Sequence, residues 1–163
     1  MLYIMQITKN FRLCEFENSR TATFRGIDNS VKSPSVKANI KAICEKVLQP
    51  FRDYLGREII VTSGYRCKEL NEAVGGVVDS LHTLGMAADI TPSDYGNFMM
   101  RDIVWLITNL PFDQLIIYRD FIHISYVATD KNRRKLLFND DVPITWQVQV
   151  YRAITDYVLG LER

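Results

Sequence analysis

Cysteine is scarce and poorly spaced for metal or disulfide work. The chain has three, Cys14, Cys44 and Cys67. The number is odd and no CxxC pair occurs, which argues against a disulfide framework and a thiolate metal cage alike. They read as reduced, structural thiols. An excess of one charge is also missing: 20 Lys and Arg stand against 19 Asp and Glu, a formal net charge of +1. No global field therefore selects nucleic acid or an anionic membrane as a partner. No apolar run approaches a membrane-spanning length, so no membrane span is expected. The opening "MLYIMQITKNF" lacks a basic leader, a sustained apolar region and a small-residue cleavage site. A signal peptide is thus not expected, and synthesis in a cytoplasm is. Neither an internal repeat nor a low-complexity tract breaks the chain.

What is present is 163 residues, 47% of them hydrophobic, enough for one core and one continuous unit. Val36, Ile40, Ile43, Val47, Phe51 and Leu55 recur at helical spacing behind Ser33 as N-cap and Pro34 in the first turn. Gly56 is the stop and Pro50 an expected kink. Residues 58–62 ("EIIVT") have strand composition, and "SGYRCKELNEAVGG" reads as a loop opening into a short helix that ends at Gly75 and Gly76. "AADI" is a further strand, and residues 97–110 form an apolar helix capped near Ser93 or Asp94. "FDQLIIY" and "FIHISYV", joined by Arg119 and Asp120, make an antiparallel hairpin. In its second run Phe121, His123 and Ser125 share one face, while Ile122 and Ile124 share the other, so His123 points away from the core. The basic run "KNRRK" (131–135) reads as a solvated loop. Behind Pro143, Trp146, Val150, Ile154, Tyr157, Val158 and Leu161 are spaced as a helix that docks on its own chain or another.

Histidine is the other scarcity, with only His82 and His123 in the chain. Taken singly, each reads as a surface or hydrogen-bonded residue; together with Asp89 they match a chemistry. Hydrolytic zinc sites take three ligands from histidine and carboxylate and keep the fourth position open. In "SLHTLGMAADI" (80–90), His82 and Asp89 flank a glycine turn and small residues. The two side chains can thus converge from a loop and a strand, and His123 would complete the set. Gly85 and the alanines are read here as letting backbone and metal come close.

The stretch "SGYRCKELNEAVGGVVDSLHTLGMAADI" followed by "FIHISY" resembles the M15 group of zinc peptidases, which includes D-Ala-D-Ala carboxypeptidases and phage L-alanyl-D-glutamate endopeptidases. Its SxHxxGxAxD pattern is met by Ser80, His82, Gly85, Ala87 and Asp89, and the likeness runs over about residues 7 to 137. The resemblance implies a zinc ion held by His82, Asp89 and His123. It also implies a general base three residues before the last histidine, where Asp120 stands; many members use glutamate there and others aspartate. Arg66 resembles the family's arginine near the substrate, and Ser80 either touches substrate or orients a loop. An α+β fold is implied, a small and largely antiparallel sheet carrying the metal site with helices on one face. Residues 1–138 would form the peptidase domain and 139–163 a helical extension packed on it or on a partner. The expected substrate is peptidoglycan stem peptide, met at the cell wall after release, with no nucleic acid involved. The alternative is a non-catalytic zinc-binding module of hedgehog-like fold, serving structure or interaction.

Overall fold

The computed structural model describes residues 5–93, 100–127 and 131–160. Two short helices, α1 (Leu13–Glu17) and α2 (Arg20–Arg25), lead into the long helical segment. Ser19 caps α2 by accepting the Ala22 N–H, and Gly26 ends it at φ +67°. The long segment is α3 (Pro34–Ile43), a π-turn (Cys44–Leu48) and α4 (Gln49–Leu55). Pro50 has no N–H to give the carbonyl four residues back, and its ring crowds that carbonyl. The turn before it widens instead, with Gln49 N–H reaching Cys44 O five residues back. The expected kink is therefore a π-turn just ahead of the proline. Ser33 occupies the N-cap position, but its hydroxyl meets Ser35 Oγ at 2.8 Å and caps nothing.

Five strands form one sheet in the order β1 (Ile59–Ser63), β2 (Ala87–Pro92), β4 (Ile122–Ser125), β3 (Gln114–Ile117), β5 (Lys135–Phe138). Three of the pairings are antiparallel and β3–β5 is parallel, so the mixed α+β architecture is as expected. The "FDQLIIY"/"FIHISYV" hairpin pairs Ile116 with His123 and Ile117 with Ile122. Between β1 and β2 lie α5 (Lys68–Ala73) and a 3-10 turn (Leu81–Leu84); α6 (Met100–Asn109) and α7 (Ile144–Val158) complete the chain. The start expected for α6 and its cap at Asp94 fall outside the described residues.

Alternation decides which sheet face is dry. Ala88, Ile90, Leu115, Ile117, Ile122 and Ile124 are fully buried and meet Ile40, Val47 and Phe51 of the long segment with Ile103 and Leu106 of α6 in one cluster. Each such aliphatic or aromatic side chain contributes about 1.5–3 kcal/mol on burial. The residues between them, Asp89 and His123, are left on the opposite face. Helix α7 packs on α6, with Val150 fully buried and Trp146 and Ile154 against the core. Tyr157 and Val158 are exposed, contrary to the sequence pattern. Each four-residue step from Trp146 overshoots a full helical turn by about 40°, which carries Val158 off the core face; Tyr157 keeps the direction of Val150 and is exposed in the last turn of the helix.

The basic run is largely exposed, as expected of a solvated loop, but it leads into β5 and its two arginines are tied to the fold. Asp113, 2% exposed, accepts from Arg133 through its backbone N–H and Nε at 3.0 and 2.9 Å, and its carbonyl takes Lys135 N–H at 2.9 Å. Arg134 gives hydrogen bonds to the carbonyls of Ile107 and Leu110 and lies over the Phe112 ring at 4.8 Å. Sequence charge missed this because the acceptors are backbone carbonyls and one distant aspartate. The Arg133 guanidinium, outweighing burial, holds the Asp113 carboxyl below the usual carboxylate range. A depressed acid stabilises the fold fully above its unfolded pKa of about 3.9 and loses that contribution as pH falls through the folded value. Asp113→Asn is therefore expected to lower unfolding free energy by about 2 kcal/mol at pH 7. In urea titrations the gap from wild type should shrink below about pH 4; a gap that is constant down to acid would contradict this.

Candidate metal centre

The register of β2 and β4 sets Asp89 directly opposite His123, and cross-strand neighbours on one face have Cβ atoms about 4.5–5.5 Å apart. His82 arrives from the 3-10 turn. Asn39 of α3 donates to Leu84 O at 2.9 Å, and Gly85 closes the turn at φ +69°. A Cβ on Gly85 would stand 2.9 Å from Val36 and Ile40 side-chain carbons. The glycine is thus required by positive φ and by contact with α3, which corrects the reading that it makes room for metal. Ala88 likewise packs into the core.

Three ligand-type atoms converge. His123 Nδ1 lies 2.8 Å from Asp89 Oδ1, His82 Nε2 lies 3.3 Å from the same oxygen, and the two histidine nitrogens are 3.2 Å apart. All lie within 4.8 Å of one another. In His82 and Asp89 the second polar atom is already engaged. His82 Nδ1 is 2.6 Å from the Gly64 carbonyl, which can only accept, so Nδ1 carries the proton and Nε2 presents a lone pair. Asp89 Oδ2 accepts from Arg66 Nη2 at 2.9 Å, leaving Oδ1 for the histidines. Lone pairs facing one point without enough protons between them suit a cation. Two imidazoles and one carboxylate are also a donor set that zinc accepts. Burial drives the Asp89 carboxyl up, yet its close contacts with His123 and His82 outweigh it and hold it below the usual range.

A second layer fixes this geometry, and sequence reading missed most of it. Gly64 lies so close to α1 that a Cβ there would sit 2.5 Å from Phe16 Cα; only glycine lets the β1 end bring its carbonyl to His82. Asn29, 5% exposed, donates to Glu17 O and Tyr65 O at 2.9 Å and accepts from Cys67 N–H at 2.8 Å. It thereby clamps the backbone on both sides of Arg66. Arg66 in turn gives Nε–H to Ser63 Oγ at 3.0 Å and its backbone N–H to His82 O at 3.2 Å. An asparagine inside "RGIDNS" looks like any turn residue, because its partners lie 12, 36 and 38 residues away.

The remaining expected residues stand differently. Asp120 is exposed in the β3–β4 turn, closed by Tyr118 N–H on Phe121 O at 3.0 Å. Among the described residues no hydrogen bond or ion pair joins it to His82, Asp89 or His123. Ser80 is buried; its carbonyl accepts from Thr83 N and Oγ1 at 3.0 and 2.7 Å, which orients the turn carrying His82. Tyr118, unremarked in the sequence, stacks on Phe121 at 4.1 Å. Continuing the hairpin register puts both rings on the His123 face. Burial raises the Tyr118 phenol, with the charge of Asp89 adding to the effect and that of Arg66 opposing it.

A family model described as Peptidase M15 matches residues 9–125, a span holding the three converging residues with Arg66, Ser80 and Asp120. Comparison with curated proteins gives no match.

Outer partners of metal ligands typically govern affinity by about 10- to 100-fold. If the three residues hold zinc, Asn29→Ala is expected to weaken its binding by at least about tenfold in competition titrations with a chromophoric chelator. Unchanged affinity in a folded variant would show that the clamp does not act on the ligands.

Proposed function

The chain belongs to the peptidase M15 family, and from that premise we propose that it is a zinc-dependent peptidase hydrolysing peptide bonds in peptidoglycan stem peptides. It would act as a D-Ala-D-Ala carboxypeptidase or as an L-Ala-D-Glu endopeptidase of the endolysin type. The observation that carries this reading is the convergence of His82 Nε2, His123 Nδ1 and Asp89 Oδ1 beside a guanidinium.

In this reading His82, Asp89 and His123 hold one zinc ion. When bound, zinc supplies Lewis acidity, making water easier to deprotonate and a peptide carbonyl easier to attack. Asp120 takes the proton from the attacking water at a carboxylate oxygen and passes it to the leaving amine nitrogen. Its place on the hairpin that carries His123, with a side chain in solvent, suits a group that must meet an incoming substrate. Arg66 uses Nε and one Nη2 proton on Ser63 and Asp89; its other N–H groups can bind a substrate carbonyl or carboxylate, for which a planar fork is suited. Ser80 contributes a hydroxyl to substrate or holds the His82 turn. The catalytic unit is residues 1–138, with 139–163 as a helical extension; the burial of Val150 in the common core supports their close packing. Among the described residues no helix is long and apolar enough to cross a membrane. Action on the cell wall after release belongs to the same proposal.

One observation favours the rival reading of a non-catalytic zinc module: Asp120 is not engaged with the three ligands. Purified muropeptides separate the two. The zinc-loaded protein is expected to cleave them, a chelator to stop it, and mass spectrometry to locate the bond. Asp120→Asn should retain zinc while kcat falls by about 10²-fold or more. Intact muropeptides with the zinc-loaded wild type, or full activity in Asp120→Asn, would defeat the catalytic assignment.

A further inference from the structure

Strand β1 is the sheet's edge. Along it runs a groove of about 580 Å³, bounded on the far side by α2 and α5. Four consecutive β1 residues, Ile60 to Ser63, line it. Neighbouring residues on a strand point to opposite faces, so a groove touching all four follows the strand's outer edge and not one of its faces. The groove adjoins the candidate metal centre through two of its lining residues. Ser63 pairs with Asp89 in the β1–β2 register, and Arg66, another lining residue, holds Asp89 Oδ2.

Its chemistry is one-sided. Arg20 and Arg66 are the charged groups of the lining, and no carboxylate is among the lining residues. Arg66 is committed to Asp89, whereas Arg20 is exposed and has no ion-pair partner among the described residues. Leu70 and Val74 give the opposite wall an apolar surface. An edge strand offers unpaired N–H and C=O groups to an extended chain, and an unpaired guanidinium with no competing acid offers a site for an anion. We propose that an extended, carboxylate-bearing segment of the peptide substrate lies along the outer edge of β1, with its carboxylate on Arg20. This rests on the peptidase reading and adds to it which side of the metal centre holds the substrate and what charge is read there.

The test uses synthetic stem peptides in which each carboxylate in turn is replaced by a carboxamide. With the zinc-loaded wild type, one replacement is expected to lower kcat/KM about fivefold, as for a partly exposed ion pair. That penalty should vanish in Arg20→Ala and reverse in Arg20→Glu. Hydrogen exchange at the β1 amides should slow when peptide is added. Penalties identical in wild type and Arg20→Ala would overturn the proposal. Should the wild type cleave no peptide, the peptidase reading fails on its own. Fluorescence anisotropy of the same labelled peptides on zinc-loaded protein then decides the groove: a carboxylate preference that Arg20→Ala removes supports it, and equal binding by all peptides overturns it.

Discussion

The pairing of Asp89 with His123 across β2 and β4 is the constraint on which the rest of the molecule depends. One strand face must be apolar to bury the core, and Ala88, Ile90, Ile122 and Ile124 supply it. Alternation then forces Asp89 and His123 together on the other face. A slip of one residue in that register would flip one strand, parting Asp89 from His123 and turning one strand's isoleucines into solvent, so core packing and the meeting of these two side chains are one requirement. His123 Nδ1 and Asp89 Oδ1, 2.8 Å apart, are thereby set on two interior strands of the sheet.

His82, the third converging residue, comes from a short turn outside the sheet. It is fixed from outside by Gly85 packed on α3, Asn39 on Leu84 O, and His82 Nδ1 on the carbonyl of Gly64. Gly64 is placed by contact with α1, and the neighbouring Arg66 by Asn29. The N-terminal helices thus act on the centre without supplying a ligand. Arg66 also neutralises part of a buried carboxylate that would otherwise be costly to keep charged, and turns one of its oxygens away from the histidines.

Much of this was legible in the sequence, for reasons that can be named. The convergence of His82, Asp89 and His123 and the hairpin were readable because alternation in "FIHISYV" and the spacing around Gly85 are local patterns. The helix over 34–55 was readable from period and from Gly56, while its π-turn was not, because the pattern of buried residues hardly changes when a single turn widens. Strand β5 was hidden beneath "KNRRK", whose charges suggested solvent while Asp113 and the carbonyls of Ile107 and Leu110 awaited them. Asn29, Gly64 and Tyr118 were hidden for the same reason. Their roles depend on partners brought close by the fold, which no local spacing encodes. Asp120, by contrast, was singled out only through family resemblance; its exposed turn reads as ordinary.

Metal content tests the central claim most directly. After zinc loading and exhaustive dialysis, elemental analysis is expected to give one zinc per chain for wild type and less than about a tenth of that for a folded His123→Ala variant, since loss of a ligand costs orders of magnitude in affinity. Equal zinc in the two proteins, or none in the wild type, would contradict the account.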